Sequence, residues 1–176
     1  TLLRGMVNTD REITLRSEMK IVESYLTLQQ KRYRTLSYSL PDGDHYDHYL
    51  LPALTLQPLV ENALVHGCEP KRGKTHIAIE LTENDQELCL SVTDNGIGMS
   101  VATRNTLRSA LANPTLEPAE GEPSVGLINI SRRVKLRFGE AYGLTIVSTE
   151  GQGTTVTLHL PLETDVAAEP PAHGKP

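Results

Sequence analysis

Cysteine is scarce. The 176 residues hold two, Cys68 and Cys89, and their spacing along the chain matches neither a metal-binding nor a redox motif. That usage suits a reduced, cytoplasmic setting rather than a disulfide framework. Excess positive charge is also missing. The net charge is -5, which excludes a general electrostatic attraction to nucleic acid or to an anionic membrane surface. No apolar run is long enough to cross a bilayer, no signal peptide is visible, and no internal repeat stands out. The first residue is Thr1 rather than Met. We read the chain as a fragment of a longer protein, with any membrane anchor in the part that precedes it.

What is present suits an ordinary soluble globular domain: 38% apolar and 22% charged residues, and enough length to bury a sizeable core. Leu2, Leu3, Met6 and Val7 read as the end of a helix. Asp10 to Tyr33 reads as a second helix with Thr14 at its N-cap. There Leu15, Met19, Val22, Leu26, Gln29 and Tyr33 step by alternating fours and threes, the seam of a coiled coil or of a helix packed on its own domain. Leu36 to Leu40 alternates like a short strand, and Pro41-Asp42-Gly43-Asp44 is turn chemistry. Leu56 to Gly67 carries an apolar face of Leu56, Leu59, Val60, Ala63 and Leu64 at helical spacing. Pro52 stands where a proline can begin that helix and Gly67 where a glycine can stop it. Asn62 and His66, four apart, share one side of it.

Further along, His76 to Leu81 and Glu87 to Val92 alternate as a hairpin and run into Asp94-Asn95-Gly96-Ile97-Gly98-Met99. Val101 to Leu111 reads as a helix. Asn113 to Pro123, rich in proline and glutamate, reads as a flexible connector. Ser124 to Phe138 returns to helical spacing, with Leu127, Ile130, Val134 and Phe138 on one face and Arg132, Arg133, Lys135 and Arg137 on much of the other. Leu144 to Ser148 and Thr154 to Leu160 are two strands around Glu150-Gly151-Gln152-Gly153. The residues from about Glu163, rich in alanine, proline and charge, read as a disordered tail. The fold expected is α+β: a two-layer sandwich of a mixed, mostly antiparallel sheet of about five strands, covered by helices on one face and preceded by a helix.

Glycines mark the candidate chemistry. Gly96 and Gly98 follow a strand and an aspartate, Gly126 opens a helix, and Gly151 and Gly153 join two strands. Such turns let backbone N–H groups approach an anion, and the helix start at Gly126 adds its dipole. None fits the P-loop or dinucleotide spacing. The order is more telling than any one turn. Glu61-Asn62 with His66-Gly67, then DNGIGM from Asp94 to Met99, then SVGLINI from Ser124 to Ile130, then GQGTTV from Gly151 to Val156, resembles the N, G1, G2 and G3 boxes of the Bergerat-fold ATPase and kinase superfamily. That superfamily includes gyrase, MutL, a heat-shock chaperone and the histidine kinases. LQPLVENALVHG, the preceding TLRSEMKIVESYLTLQQKRY and the later RVKLRFGEAYGLTIVSTEGQGT further resemble the LytS/YehU-type sensor histidine kinases.

The resemblance implies that residues 1–35 close a dimerisation and phosphoacceptor helical region, that residues 36–162 form a catalytic ATP-binding domain, and that residues 163–176 are a tail. It implies ATP and Mg²⁺ as ligands. Asn62 would coordinate Mg²⁺ through its side-chain oxygen, since a hard cation takes oxygen ligands. Asp94 would accept a hydrogen bond from the adenine amino group. Gly96 and Gly98 would let the backbone pass beside the base, with Met99 packing nearby and Thr154 supporting the adenine end. Gly126 and Leu127 would meet phosphates through backbone N–H groups, with Asn129 near them. His66 and Gly67 would approach phosphate or ribose. Residues 113–123 would be the ATP lid. Arg132 and Arg133 read either as phosphate-neutralising or, on the helix pattern, as solvated charges.

The family's phosphate-accepting histidine lies upstream in a Pro-His-Phe motif. That motif is absent, so none of His45, His48, His66, His76, His159 or His173 takes its role. The implied function is the ATP-binding part of a two-component sensor kinase. It would pass the γ-phosphoryl to a histidine on a dimerisation helix for relay to a response regulator, as a homodimer or a monomeric piece, without nucleic acid, and with any anchor in the bacterial inner membrane lying upstream. The alternatives are a serine-directed anti-sigma kinase and a clamp-type ATPase related to gyrase and MutL. Clamp-type relatives place a water-activating glutamate four residues before the N-box asparagine; here that position is Pro58, which cannot act as a base, and Glu61 points away from Asn62 along the helix.

Overall fold

The structure, a computed structural model, describes residues 11–113 and 124–162. The first-helix remnant near Leu2, nearly all of the expected lid and the expected tail lie outside the described residues. A short strand β1 (Glu12–Thr14) leads into helix α1 (Leu15–Arg32), followed by β2 (Leu36–Ser39), β3 (Leu50–Pro52) and α2 (Leu56–Asn62). A π-helical turn over Ala63–Cys68 extends α2, then come β4 (Thr75–Glu83), β5 (Glu87–Asp94), α3 (Val101–Ala112), α4 (Val125–Phe138), β6 (Gly143–Thr149) and β7 (Gly153–Pro161). Five strands form one sheet in the order β2-β4-β5-β7-β6. β2 runs parallel to β4 and the other pairs are antiparallel. The α+β, mixed, mostly antiparallel architecture is therefore the one expected.

Strand alternation decides which face carries the helices. On β5, Leu88, Leu90 and Val92 are buried and join Val156, Leu158 and Leu160 of β7 in the core. The side chains between them face outward and pair across strands: Ser91 with Thr157 at 2.9 Å and Thr93 with Thr155 at 2.9 Å. Against the inner face lie the buried positions of α3 (Leu107, Leu111) and of α4 (Leu127, Ile130, Val134). The α1 seam also turns inward. Leu15, Val22 and Leu26 are buried in the same core, with Met19 and Tyr33 packed against it, so the seam is satisfied by its own domain.

Local boundaries differ from the periodicity in three places. Thr14 does cap α1, accepting from the Ser17 N–H at 3.3 Å, but the residues before it form β1 rather than more helix. β1 pairs antiparallel with β3, which ends at Pro52, and α2 begins four residues after that proline. Finally, Gly67 does not stop the helix. The N–H of Glu69 bonds the carbonyl of Leu64 at 2.8 Å, carrying a wider helical turn through the glycine. What removes the side chain at residue 67 is a neighbour across the fold, not a helix end: a Cβ there would lie 2.5 Å from Oδ1 of Asp94.

Candidate functional site

The beginning of α2 is built from other elements. Thr55 precedes the helix but makes no capping bond to it. The carboxylate of Glu18, fully buried on α1, takes that place: one oxygen accepts from the Leu54 N–H at 2.6 Å and the other from the Leu56 N–H at 2.9 Å. An anionic acceptor at a helix N-terminus satisfies donors the helix cannot bond itself and complements its dipole. From the opposite side the Arg133 guanidinium donates to the Leu54 carbonyl at 3.2 Å and to Thr55 Oγ1 at 2.6 Å, and Thr55 donates to the Pro52 carbonyl at 2.6 Å. The grip holds Leu54 at φ 58°, a left-handed conformation that leucine rarely adopts. Arg133 is thus not a simple solvated charge; it anchors the loop that starts the Asn62 helix.

Between the sheet and α2, α3 and α4 opens a cavity of about 570 Å³, lined by Asn62, His66, Gly67, Asp94, Gly98, Met99, Leu127 and Thr154 together with Ala102, Thr103, Thr106, Leu107, Ala110, Ser124 and Ile128. That volume falls in the roughly 300–1,000 Å³ usual for small-molecule sites. Four segments far apart in the chain converge on it, and the bonds between them are specific. The Gly67 carbonyl accepts from the Ile97 N–H at 3.0 Å, and the Ile97 carbonyl accepts from the Gly151 N–H at 2.7 Å. Gly96 is pressed so closely on the Gly67 backbone that any Cβ would overlap the Gly67 carbonyl. The buried Ser148 hydroxyl accepts from the Met99 N–H at 2.8 Å and pairs with Thr154 Oγ1 at 2.8 Å.

Among the described residues Asp94 is the one carboxylate on the cavity lining. It is 4% exposed, and its Oδ1 accepts from the Gly96 N–H at 2.8 Å. Burial pushes its pKa up to about 6; the Gly96 and Thr154 amides and the charge of Lys71, which donates to the Asn95 carbonyl, oppose that rise. The group is an anion near neutral pH, poised to accept a hydrogen bond from a ligand donor. Among the described residues nothing bonds the Asn62 carboxamide, so its oxygen is free to meet a cation. One neutral oxygen does not satisfy a magnesium ion, which prefers six oxygen ligands, so the donor set fits magnesium only when phosphate oxygens and water complete the shell.

Three of the residues expected at the site stand apart from the lining: Gly96 behind Gly67, and Gly126 and Asn129 exposed on α4. Among the described residues nothing lies within 4 Å of a Cβ built on Gly126, so they leave that helix start open to a ligand. Glu61 does not line the cavity; its carboxylate accepts from Gln57 Nε2 at 3.0 Å. Ser148 and the α3 face of Thr103, Thr106, Leu107 and Ala110 were not singled out from the sequence. The spacing of that face along α3 was its available signal, whereas Ser148 in an alternating strand had none.

Residues 50–164 match the family described as histidine kinase-, DNA gyrase B- and HSP90-like ATPases. The sensor histidine kinase YesM of Bacillus subtilis (strain 168) is 35% identical over 167 residues, covering 94% of this chain and 27% of that protein. The sensor protein LytS of Streptococcus mutans is 32% identical over 170 residues, covering 93% of this chain and 27% of its own length. The chain thus spans 27% of the length of each of these two relatives. The solved nucleotide-free catalytic domain of histidine kinase ThkA superposes with a TM-score of 0.59 at 16% identity, covering 88% of this chain and 98% of that one, a likeness of fold. No helix among the described residues is long and apolar enough to cross a membrane.

Proposed function

We infer, for a chain that belongs to the family of histidine kinase-, DNA gyrase B- and HSP90-like ATPases, that ATP enters the cavity with its base at Asp94 and its phosphates toward Asn62 and the start of α4. The observation that carries this is the buried Asp94 carboxylate, held at the cavity by the Gly96 amide and aligned across the β5–β7 ladder with Thr154. Its acceptor oxygens suit the exocyclic amine of adenine. Gly98 and Met99 flank the base, and Thr154, bonded to Ser148, steadies that end. His66 and Gly67 lie on the ribose and phosphate side.

Gly126 and Leu127, with Asn129 beside them, present backbone N–H groups at the open start of α4, where a helix favours anions. Magnesium, when bound, would be held by Asn62 and the phosphates and would neutralise phosphate charge. The chain's own work is to orient the triphosphate and to exclude water, since phosphoryl transfer depends chiefly on positioning and charge stabilisation. The γ-phosphoryl then passes to a histidine on a dimerisation helix, for relay to a response regulator. On this reading residues 1–35 close the helical region, residues 36–162 are the catalytic domain, residues 163–176 are a tail, and the whole kinase acts as a membrane-anchored dimer. Glu61, engaged by Gln57, gives no support to water activation of the clamp-type ATPases.

Calorimetry tests this with ATP, with and without Mg²⁺. The expected outcome is ATP binding by the wild type without self-phosphorylation, loss of binding in Asp94→Asn, and loss of the Mg²⁺ dependence in Asn62→Ala. ATP binding that survives Asp94→Asn unchanged would refute the placement of the base.

A further inference from the structure

The spacing of Cys68 and Cys89 along the chain gives no metal motif, but the register of the sheet brings other ligands to one of them. β5 and β7 pair so that Cys89 stands opposite His159, and Glu87, two residues before Cys89, projects from the same outer face. Cys89 Sγ lies 3.5 Å from Glu87 Oε1 and 3.5 Å from His159 Nδ1, and His159 Nδ1 lies 3.4 Å from Glu87 Oε2. All three side chains are half-buried. We propose that Glu87, Cys89 and His159 form a zinc site on the outer face of the sheet, separate from the nucleotide cavity.

Geometry and chemistry agree on the metal. A tetrahedral zinc with ordinary bond lengths to sulfur, nitrogen and oxygen sets its ligand atoms about 3.6, 3.5 and 3.3 Å apart. The Sγ–Nδ1 separation of 3.5 Å matches its edge, and each of those two atoms has a Glu87 oxygen at 3.5 or 3.4 Å. Glu87 turns one oxygen to the sulfur and the other to the nitrogen, so a rotation of its carboxylate presents a single oxygen to the metal without backbone movement.

The imidazole is already oriented. Its Nε2 lies 2.9 Å from Thr145 Oγ1 on β6. With Nε2 carrying the proton toward that hydroxyl, Nδ1 presents its lone pair between Cys89 and Glu87, an arrangement typical of metal-bound histidines. The other rungs on this face, Ser91–Thr157 and Thr93–Thr155, are hydroxyl pairs that close on themselves. Only the Cys89–His159 rung adds thiol, imidazole and carboxylate at one point. Three protein ligands leave a fourth position for water. Binding converts the Cys89 thiol to a zinc thiolate and releases its proton to solvent, so uptake is linked to pH. None of the three residues lines the cavity, so the site stands independently of the nucleotide reading.

The test uses the reduced, metal-free chain, titrated with zinc against a chromophoric chelator and, separately, with cobalt(II) followed by absorption. The expected result is one equivalent of tightly held zinc and a cobalt form with a sulfur-to-cobalt charge-transfer band and tetrahedral visible bands. Cys89→Ser should remove the sulfur band, Cys89→Ser and His159→Ala should each weaken zinc binding by more than about 100-fold, and Thr145→Ala should weaken it about tenfold. The wild-type cobalt spectrum needs no variant to fold. Failure of the wild type to hold one equivalent, a cobalt spectrum without the sulfur band, or zinc affinity unchanged in folded Cys89→Ser would each overturn the proposal.

Discussion

Replacing Glu18 by glutamine keeps its shape and removes half of its function. The carboxylate accepts from two buried amides, those of Leu54 and Leu56, at 2.6 and 2.9 Å, and has no exposure to water. Glutamine offers one acceptor oxygen; its NH₂ group faces the second amide donor to donor. Hydrogen bonds to a charged group contribute about 1.5–3 kcal/mol each, and an unsatisfied buried donor adds its own desolvation cost. We therefore expect Glu18→Gln to lose roughly 2–4 kcal/mol, a large share of the stability of a marginally stable domain. For a chain of this size that shifts Tm by roughly 5–15 °C.

Glu18→Ala should cost at least as much. Arg133→Ala, which releases the other side of the Leu54–Thr55 loop, should be non-additive with it by more than about 0.5 kcal/mol, because both grip the same backbone. Thermal and urea unfolding followed by circular dichroism measure the effect, and ATP calorimetry reports whether α2, which carries Asn62, keeps its position. A Glu18→Gln variant within about 0.5 kcal/mol of wild type would refute the claim that this carboxylate caps α2.

Asp94 predicts a pH effect. Its pKa is raised by burial from 3.8 to about 6 in the folded protein, so its contribution to stability is fully present below the unfolded value and is lost as pH rises through about 6. Unfolding measured from pH 4 to 7 should show a decline of up to about 3 kcal/mol that is absent in Asp94→Asn. Conversely, ATP affinity should fall as the pH drops below about 6, because the protonated carboxyl is a poorer acceptor; calorimetry at several pH values checks this. Two glycine substitutions should separate packing from ligand contact. Gly67→Ala places a methyl 2.5 Å from Asp94 Oδ1 and should cost about 1–3 kcal/mol with loss of ATP binding. Among the described residues Gly126→Ala meets open space, so it should hold or slightly raise Tm, as helix propensity favours alanine, while weakening ATP binding where phosphates approach that helix start.

Local chemistry was enough to read much of this protein from the sequence. The strands β4 to β7 announce themselves because one face is buried and apolar residues must then recur every second position; Leu88, Leu90 and Val92 are the pattern and the core at once. The cap at Thr14 and the helical spacing of Ser124 to Phe138 are likewise set by nearest neighbours. The four boxes are short segments whose order survives in the chain whatever their distances in space, and that order suffices for the family. Which side chains meet was decided only by tertiary structure. Glu18 and Arg133 look like solvated helix charges until packing carries both to the start of α2, where buried amides and a carbonyl need partners. Gly67 looks like a helix stop until Asp94 occupies the space of its missing side chain. Cys89 and His159 lie seventy residues apart, and only the β5–β7 register puts them face to face. Periodicity reports which face a residue occupies; the partner it finds there depends on long-range pairing, which no local pattern encodes.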